Sequence, residues 1–431
     1  MRSAINIGMI GLGTVGCGAL SILQENGDAI ARKVGCELRV TRIADIDLDR
    51  ERPVQFDRSI LTNDAYQIIN DPDVDIVVEL IGGVSPAGRF IMDALKNGKH
   101  IVTANKELLA REGHSLLVEA GERKQDFSFE ASVGGGIPII RPLKIDLAGN
   151  RIEEVIGIVN GTTNYILTSM SQEGEDFGEA LAEAQKLGYA EPDPTNDVEG
   201  HDAAYKIAIL ASIAFTSRVN VADVYHEGIT SLTQRDTSYA EELGYCVKLL
   251  AIAKDRPNGM EIRVHPAFLP KSHPLASVNG VHNGIFVRGN AVGDVMFYGQ
   301  GAGPMAAGSA VVGDIVDIAR NIVCGATGRI ACTCLDEKPV LPLGETITKY
   351  YVRMRTTDMP GVLAGVAGVF GENDVSLATV LQKTRGRGKN GQAEIVWITH
   401  EVKEENFRRA LAKIESLPVV AQINACIRVE E

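Results

Sequence analysis

Short apolar runs and helical periodicity alternate through the first third of the chain. Residues 5–10 are largely apolar and β-prone, and 14–33 carry a helix-like pattern. Residues 37–44 read as a second strand, and the run at 75–80 suits a parallel strand buried on both faces. Pro86 opens a helix and Gly98 closes it. Residues 100–103 form a further strand and 106–121 a further helix. Strands that alternate with helices predict a doubly wound α/β sheet.

The pattern changes near residue 130, where Gly134, Gly135 and Gly136 interrupt it. Beyond lie a long strand, several helices, and a strand-rich run from about 246 to 298, which predicts an α+β domain with its own open sheet. Pro304 starts a long helix expected to pack back on the first domain. A polar, proline-bearing stretch at 336–347 reads as a linker. Residues 348–431 read strand, helix, strand, strand, helix, strand, the order of a ferredoxin-like βαββαβ unit, with a flexible hairpin tip at 385–391. The expected division is therefore 1–130 completed by 304–335, then 131–303, a linker, and 348–431 as a separable domain.

At 431 residues the chain is too long for one core, which agrees with that division. A net charge of −13 makes nucleic acid and anionic membranes poor partners. No apolar run is long enough to span a bilayer, and no secretory leader opens the chain. The seven scattered cysteines do not form a disulfide framework, and reduced thiols in a cytoplasmic protein are expected. Cys332 and Cys334 are close in sequence, but no second Cys or His cluster follows at zinc-site spacing.

Candidate chemistry begins at Gly11-Leu12-Gly13-Thr14-Val15-Gly16, directly after the first strand. The glycines allow a tight turn, close approach of backbone to pyrophosphate, and close helix–strand packing; the helix start offers N–H groups to phosphate. In a βαβ context this predicts a Rossmann dinucleotide site at Gly11, Gly13, Thr14, Val15 and Gly16. At the end of the second strand, Asp45 and Asp47 suit the ribose hydroxyls of NAD, while Arg42 points towards NADP. The balance at that edge falls on NAD.

Three more segments carry candidate residues. Lys106, in Thr103-Ala104-Asn105-Lys106, sits at the C-terminal end of a parallel strand, where ligands bind. A cation is unfavourable at a helix start, which hints at a ligand there rather than an ordinary solvated lysine. The carboxylate-rich loop 188–197, with Glu191 and Asp197, could bind an ammonium group or be a plain surface loop. Asp202 and Lys206 share a helix face, and the helix beyond is apolar almost all round. Lys206 is thus either a buried proton carrier or half of an i,i+4 ion pair, and the pattern leaves both open.

At these residues the chain resembles the homoserine dehydrogenase family. The loop 11–16, Thr103 to Lys106, Asn160-Gly161-Thr162-Thr163-Asn164-Tyr165-Ile166-Leu167 and the run 188–206 resemble family motifs, covering about residues 1–335. The resemblance implies reversible NAD(P)H-dependent reduction of L-aspartate 4-semialdehyde to L-homoserine, in threonine, methionine and isoleucine biosynthesis. It implies that Lys206 is the proton donor, that Asp202 orients it, and that Lys106 lines the nicotinamide and substrate pocket. Glu191 would bind the amino-acid head with Asp197 assisting, and Gly301 would contact the cofactor. It also implies a monovalent cation, often sodium, on main-chain oxygens of Glu130, Val133, Gly135 and Ile137, and makes 131–303 a catalytic and dimerisation domain. The family often carries basic residues after the second strand, where this chain has Asp45 and Asp47.

The tail resembles an ACT domain through Asp358-Met359-Pro360-Gly361-Val362-Leu363 and Asn373. That resemblance implies an amino-acid effector, with threonine favoured by pathway logic, and a homodimer or homotetramer; the alternative is a structural dimerisation module. Two other readings remain open: a different Rossmann oxidoreductase of small amino acids, and a non-catalytic amino-acid sensor on a dehydrogenase scaffold. Retention of Lys106, Lys206 and the 188–206 stretch disfavours both.

Overall fold

The computed structural model describes residues 3–330, 332–384 and 391–431. Its chain divides into two compact units: Met1–Gly161 with Ala203–Val224 and Val281–Lys338, and Thr162–Asp202 with Tyr225–Gly280 and Pro339–Glu431.

In the first unit, strands β1 (Ala4–Ile10), β2 (Glu37–Ala44), β3 (Leu61–Thr62), β4 (Ile76–Glu79), β5 (His100–Thr103) and β6 (Phe127–Ser128) form one sheet in the order β3-β2-β1-β4-β5-β6. Every pairing in it is parallel. β4 is buried at all four positions, as expected of a strand covered on both faces. Helices α1 (Thr14–Glu25), α2 (Gly27–Val34), α3 (Tyr66–Ile69), α4 (Ala87–Lys96) and α5 (Lys106–Glu122) connect the strands. The helix expected over 14–33 is two helices. They meet at Asn26, which leaves helical geometry at φ −107°, ψ 9° ahead of Gly27, and both residues are poor helix formers.

The core of this sheet unites Ile5, Ile7, Ile76, Val78 and Val102 with Leu20, Val311, Ile315 and Ile318. The last three lie on the long helix Pro304–Cys324, which packs on α1. The contact needs glycine: a Cβ on Gly18 would fall 2.0 Å from the Pro304 carbonyl oxygen. A separate antiparallel set in this unit pairs β7 (Ile152–Ile158) with His282–Gly289, and the latter with Gly293–Gln300.

The second unit contains the antiparallel pair Tyr245–Arg256 and Gly259–Pro270. It also contains the C-terminal module: strand Ile347–Thr357, helix Val362–Glu372, strands Leu377–Thr384 and Gln392–Thr399, helix Glu404–Glu415 and strand Val420–Val429. This matches the expected βαββαβ order; the expected hairpin tip at 385–391 falls outside the described residues except for Gly391. Tyr350, Val366, Phe370, Trp397 and Phe407 fill the module's core.

The module is joined to the hairpin by backbone. Val420–Val429 pairs in parallel with Gly259–Pro270, Ala267 opposite Arg428 and Phe268 opposite Val429. Buried ion pairs reinforce the seam. Arg263 binds Glu430 at 2.7 Å and Glu261 at 2.8 Å, and Arg353 binds Asp236 at 2.8 Å.

Candidate active site

In a sheet of this order, β1 and β4 are neighbours whose connections run to opposite sides, and a ligand crevice opens beyond their C-terminal ends. The glycine loop lies there. Gly11 holds φ +101°, and a Cβ on it would meet the Leu80 carbonyl at 2.8 Å. A Cβ on Gly16 would meet the Gly11 oxygen at 2.5 Å, whereas one on Gly13 would meet nothing within 4 Å. The loop is thus tight where it touches protein and open where a pyrophosphate would approach. Gly13 caps α1 without a side-chain hydrogen bond, and the first turn carries no acidic residue. A helix start with these features suits an anion. A cleft of about 360 Å³ adjoins it, lined among others by Gly13, Thr14, Arg50, Arg52 and Pro304. These residues fit a dinucleotide.

Asp45 is committed to the loop itself. Its Oδ2 accepts from the Leu12 amide at 2.8 Å and its Oδ1 from the Asp47 amide at 3.0 Å. The Arg52 guanidinium lies 3.4 Å from Oδ1. Burial alone would raise its pKa, but the two amides and Arg52 outweigh burial and hold the carboxyl below its ordinary value. Arg50 and Arg52 were not singled out in the sequence. The signal for them, basic residues five and seven positions after Asp45, was hidden in the mixed-charge run 45–52.

A second cluster builds the ends of β4 and β5. Glu79 is fully buried and accepts from the Ile81 amide at 2.8 Å and from the Thr103 hydroxyl at 2.6 Å. Thr103 Oγ1 in turn accepts from the Asn105 amide at 3.0 Å. Asn105 caps α5 through the Leu108 amide at 3.1 Å and donates to the Gly83 carbonyl at 2.6 Å. Lys106 is therefore set at the first position of a helix whose start is fixed from three sides. Glu79 was also missed; a carboxylate closing an otherwise apolar strand was its signal.

Helix His201–Ala214 carries Asp202 in its first turn and Lys206 one turn on. Both are buried, at 2% and 8% exposure. Lys206 Nζ donates to the Val159 carbonyl at 2.6 Å, just past the end of β7. One residue earlier, the Tyr205 hydroxyl accepts from Arg111 of α5 at 3.1 Å. Gly135 and Gly301 also meet: a Cβ on Gly135 would fall 2.4 Å from the Gly301 oxygen. Within 130–137, Gly134 and Gly135 take φ +73° and +56° and turn the chain sharply, and Glu130, Val133, Gly135 and Ile137 are all buried. The Glu130 carboxylate accepts from the Ile139, Ile140 and Arg141 amides at 2.6, 2.7 and 2.9 Å.

Glu191 and Asp197 belong to the second unit. The loop around them is held by its backbone: Gln185 donates to the Glu191 carbonyl at 3.1 Å and to that of Pro192 at 3.3 Å. The Glu191 side chain is exposed, and Asp197 is half-buried in the short helix Thr195–Val198. Thr162, from the motif 160–167, donates to the Tyr189 carbonyl at 2.7 Å and so ties that motif to the same loop.

A parallel Rossmann-like sheet with a glycine cradle at its switch point, and a βαββαβ module of the ACT type at the C-terminal end, define an NAD(P)-dependent oxidoreductase that carries an ACT domain. Family models match in the same order: homoserine dehydrogenase NAD-binding domain over 11–130, homoserine dehydrogenase over 138–316, and ACT domain over 350–419. The chain is 42% identical to the homoserine dehydrogenase of Bacillus subtilis (strain 168), over 99% of this chain and 98% of the relative. It is similar to a homoserine dehydrogenase structure from Thiobacillus denitrificans, with a TM-score of 0.93 and 43% identity over 99% of this chain and 98% of that one. A hyperthermophilic archaeal homoserine dehydrogenase mutant, solved in complex with NADPH, is similar over 73% of this chain and 97% of its own, with a TM-score of 0.62 and 29% identity. The chain belongs to the homoserine dehydrogenase family, NAD(P)-dependent enzymes of amino-acid biosynthesis. No helix among the described residues is long and apolar enough to cross a membrane.

Proposed function

We propose that the chain interconverts L-homoserine and L-aspartate 4-semialdehyde, with Lys206 as the proton carrier. The observation behind this is a buried lysine on an apolar helix whose Nζ donates to the Val159 carbonyl at 2.6 Å. When bound, the nicotinamide ring supplies or accepts the hydride. In reduction, the Lys206 ammonium gives a proton to the forming alkoxide; in homoserine oxidation the neutral amine takes the hydroxyl proton. Asp202 orients Lys206, and Lys106 lines the pocket. Glu191, assisted by Asp197, holds the substrate ammonium.

Gly11, Gly13, Thr14, Val15, Gly16 and Gly301 hold the dinucleotide, and Asp45 props the loop. Both NAD and NADP serve. Asp45 is already satisfied by Leu12, Asp47 and Arg52 and so is a weak barrier to a 2′-phosphate, while the exposed Arg50 lining the cleft can pair with one. Main-chain oxygens of Glu130, Val133, Gly135 and Ile137 hold a sodium ion; neutral carbonyls suit a hard monovalent cation. The domains divide at about 130, 303 and 347, the ACT domain takes threonine, and the active form is a homodimer or homotetramer.

The test is homoserine-dependent reduction of each cofactor by wild type and Arg50→Ala, with and without threonine. Wild type should use both cofactors and respond to threonine. Arg50→Ala should lose roughly tenfold in kcat/KM with NADP, the size of one charge-assisted contact, and little with NAD. Equal losses with both cofactors would remove Arg50 from the 2′-phosphate site.

A further inference from the structure

The two helices that carry Lys106 and Lys206 enclose a cavity that the chemistry above does not use. It holds about 60 Å³, on the order of four water molecules. Leu109, His114 and Leu117 of α5 line one side, and Ile209, Ser212 and Ile213 of the helix His201–Ala214 line the other. At a rise of about 1.5 Å per residue, His114 stands about 12 Å along α5 from Lys106, and Ser212 about 9 Å along its helix from Lys206. The cavity is therefore apart from the proton carrier.

Ser212 shapes one end of it. Its hydroxyl donates to the Ala208 carbonyl at 2.7 Å and accepts from the Val219 amide at 3.1 Å. The second bond folds the chain back after the helix and brings Arg218 and Val219 to the cavity. A tight turn at Cys334, where the Leu335 amide donates to the Thr333 carbonyl at 3.0 Å, closes another side.

Arg111, His114 and Arg218 line this space, and among the described residues no carboxylate does. Arg111 is shared, with Glu107 at 3.2 Å and the Tyr205 hydroxyl at 3.1 Å. The other two are uncommitted. Arg218 is exposed and makes no ion pair and no side-chain hydrogen bond among the described residues. His114 Nδ1 is buried and has no hydrogen-bond partner among them. A buried polar atom without a partner is costly until something pairs with it. A guanidinium and an imidazole N–H that converge on one cavity suit an oxyanion.

We propose that this cavity binds a short aliphatic carboxylate. Arg218 and His114 Nδ1 take the carboxylate, and the hydrocarbon tail lies against Leu109, Leu117, Ile209 and Ile213. Propanoate is of the right size. An amino acid is rejected, because its ammonium group would face two arginines with no carboxylate in the lining. Inorganic phosphate can use the same donors but gains nothing from the aliphatic walls.

The test is equilibrium dialysis of radiolabelled propanoate against the full chain, with NADP saturating so that the anion site of the glycine loop is filled. Wild type should bind propanoate saturably, one molecule per chain. Arg218→Ala should weaken binding about tenfold, the size of one charge-assisted contact, and His114→Leu should weaken it several-fold. Neither residue touches the cofactor or the proton carrier, so homoserine oxidation without propanoate should stay near wild type in both variants and report that they fold. In competition against the label, propanamide, which lacks the charge, and L-alanine, which adds an ammonium, should fail. Phosphate should compete more weakly than unlabelled propanoate. Absence of saturable binding, or binding unchanged in both Arg218→Ala and His114→Leu, would overturn the site. Competition by L-alanine, by propanamide or by phosphate as strong as that of propanoate would overturn the carboxylate assignment.

Discussion

The cofactor edge and the C-terminal module are both built from strands and helices over an apolar core, yet their polar groups are satisfied over very different distances in sequence. At the cofactor edge the decisive bonds form inside loops or between neighbouring strand ends. Glu79 serves Ile81 and Thr103, Asn105 serves Leu108, and Asp45 serves Leu12 and Asp47. The module is fastened by residues far apart. Glu430 reaches Arg263, Arg353 reaches Asp236, and Arg428 reaches Glu227 at 3.1 Å. Local satisfaction gives a binding edge that a short motif can specify. Remote, buried pairing gives a fastening in which the loss of one partner leaves the other charge buried and uncompensated.

The fastening should show the largest effect. Glu430→Ala leaves Arg263, a fully buried guanidinium, with the Glu261 carboxylate and the neutral His265 ring, to which its Nε donates at 3.1 Å. Removing one partner of a buried pair typically costs about 3–5 kcal/mol, read here as a fall in the urea midpoint. Replacing Arg263 and Glu430 together with apolar residues should recover most of that loss. If Glu430→Ala unfolds at the wild-type midpoint, the seam does not carry the module. For the same reason, a chain cut near Gly344 should lose stability along Gly259–Pro270 as well as losing the module.

Acid should separate the two regions next. Burial would raise the Glu404 carboxyl, but Arg428, Tyr350 and Arg408 bring it down to about 2, and Arg263 and Lys254 hold Glu430 below its ordinary range despite burial. These carboxylates stabilise the fold above the unfolded value near 4.3, and that contribution is lost as pH falls towards 2. Burial, with Arg428 and Arg263, pushes His265 down to about 3. Below about 6.5 the unfolded chain binds a proton that the fold refuses, so stability starts to fall there. Urea midpoints measured from pH 7 to pH 3 should decline in two stages, and Glu430→Gln should flatten the lower one. A flat profile would contradict the buried pairing.

At the cofactor edge the effects should be smaller and confined to binding. Gly11→Ala puts a Cβ at 2.8 Å from the Leu80 carbonyl in a backbone held at φ +101°. Such strain costs about 1–3 kcal/mol, so dinucleotide affinity, followed by fluorescence titration, should fall roughly ten- to a hundredfold. Unchanged affinity would mean that the loop relaxes without cost. Asn105→Ala removes the cap of α5 and should cost about 1 kcal/mol in thermal stability, with a modest rise in KM through Lys106.

The same contrast explains what could be read from the sequence. The six-residue loop with its three glycines, the strands around it and the βαββαβ order follow from local periodicity and turn chemistry, and all appear in the structure. The break at Asn26 was missed because apolar spacing continues across it while the backbone does not. Arg52 is hidden in the mixed-charge run 45–52, and Glu79 ends an apolar strand whose pattern by itself does not say that the carboxylate will be buried against Thr103. The tail reads as a domain behind a linker, yet its last strand is hydrogen-bonded beside Gly259–Pro270. No local pattern announces that Arg428 and Glu430 will meet residues more than a hundred positions away.

The most direct test of the catalytic account is the Lys206→Ala variant of the full chain, assayed for homoserine oxidation alongside a cofactor-binding titration. Loss of a positioned proton carrier typically lowers turnover about 10²–10⁴-fold. The account predicts a fall of that size in kcat, with NAD and NADP affinities close to wild type. Near-normal turnover in Lys206→Ala would contradict it.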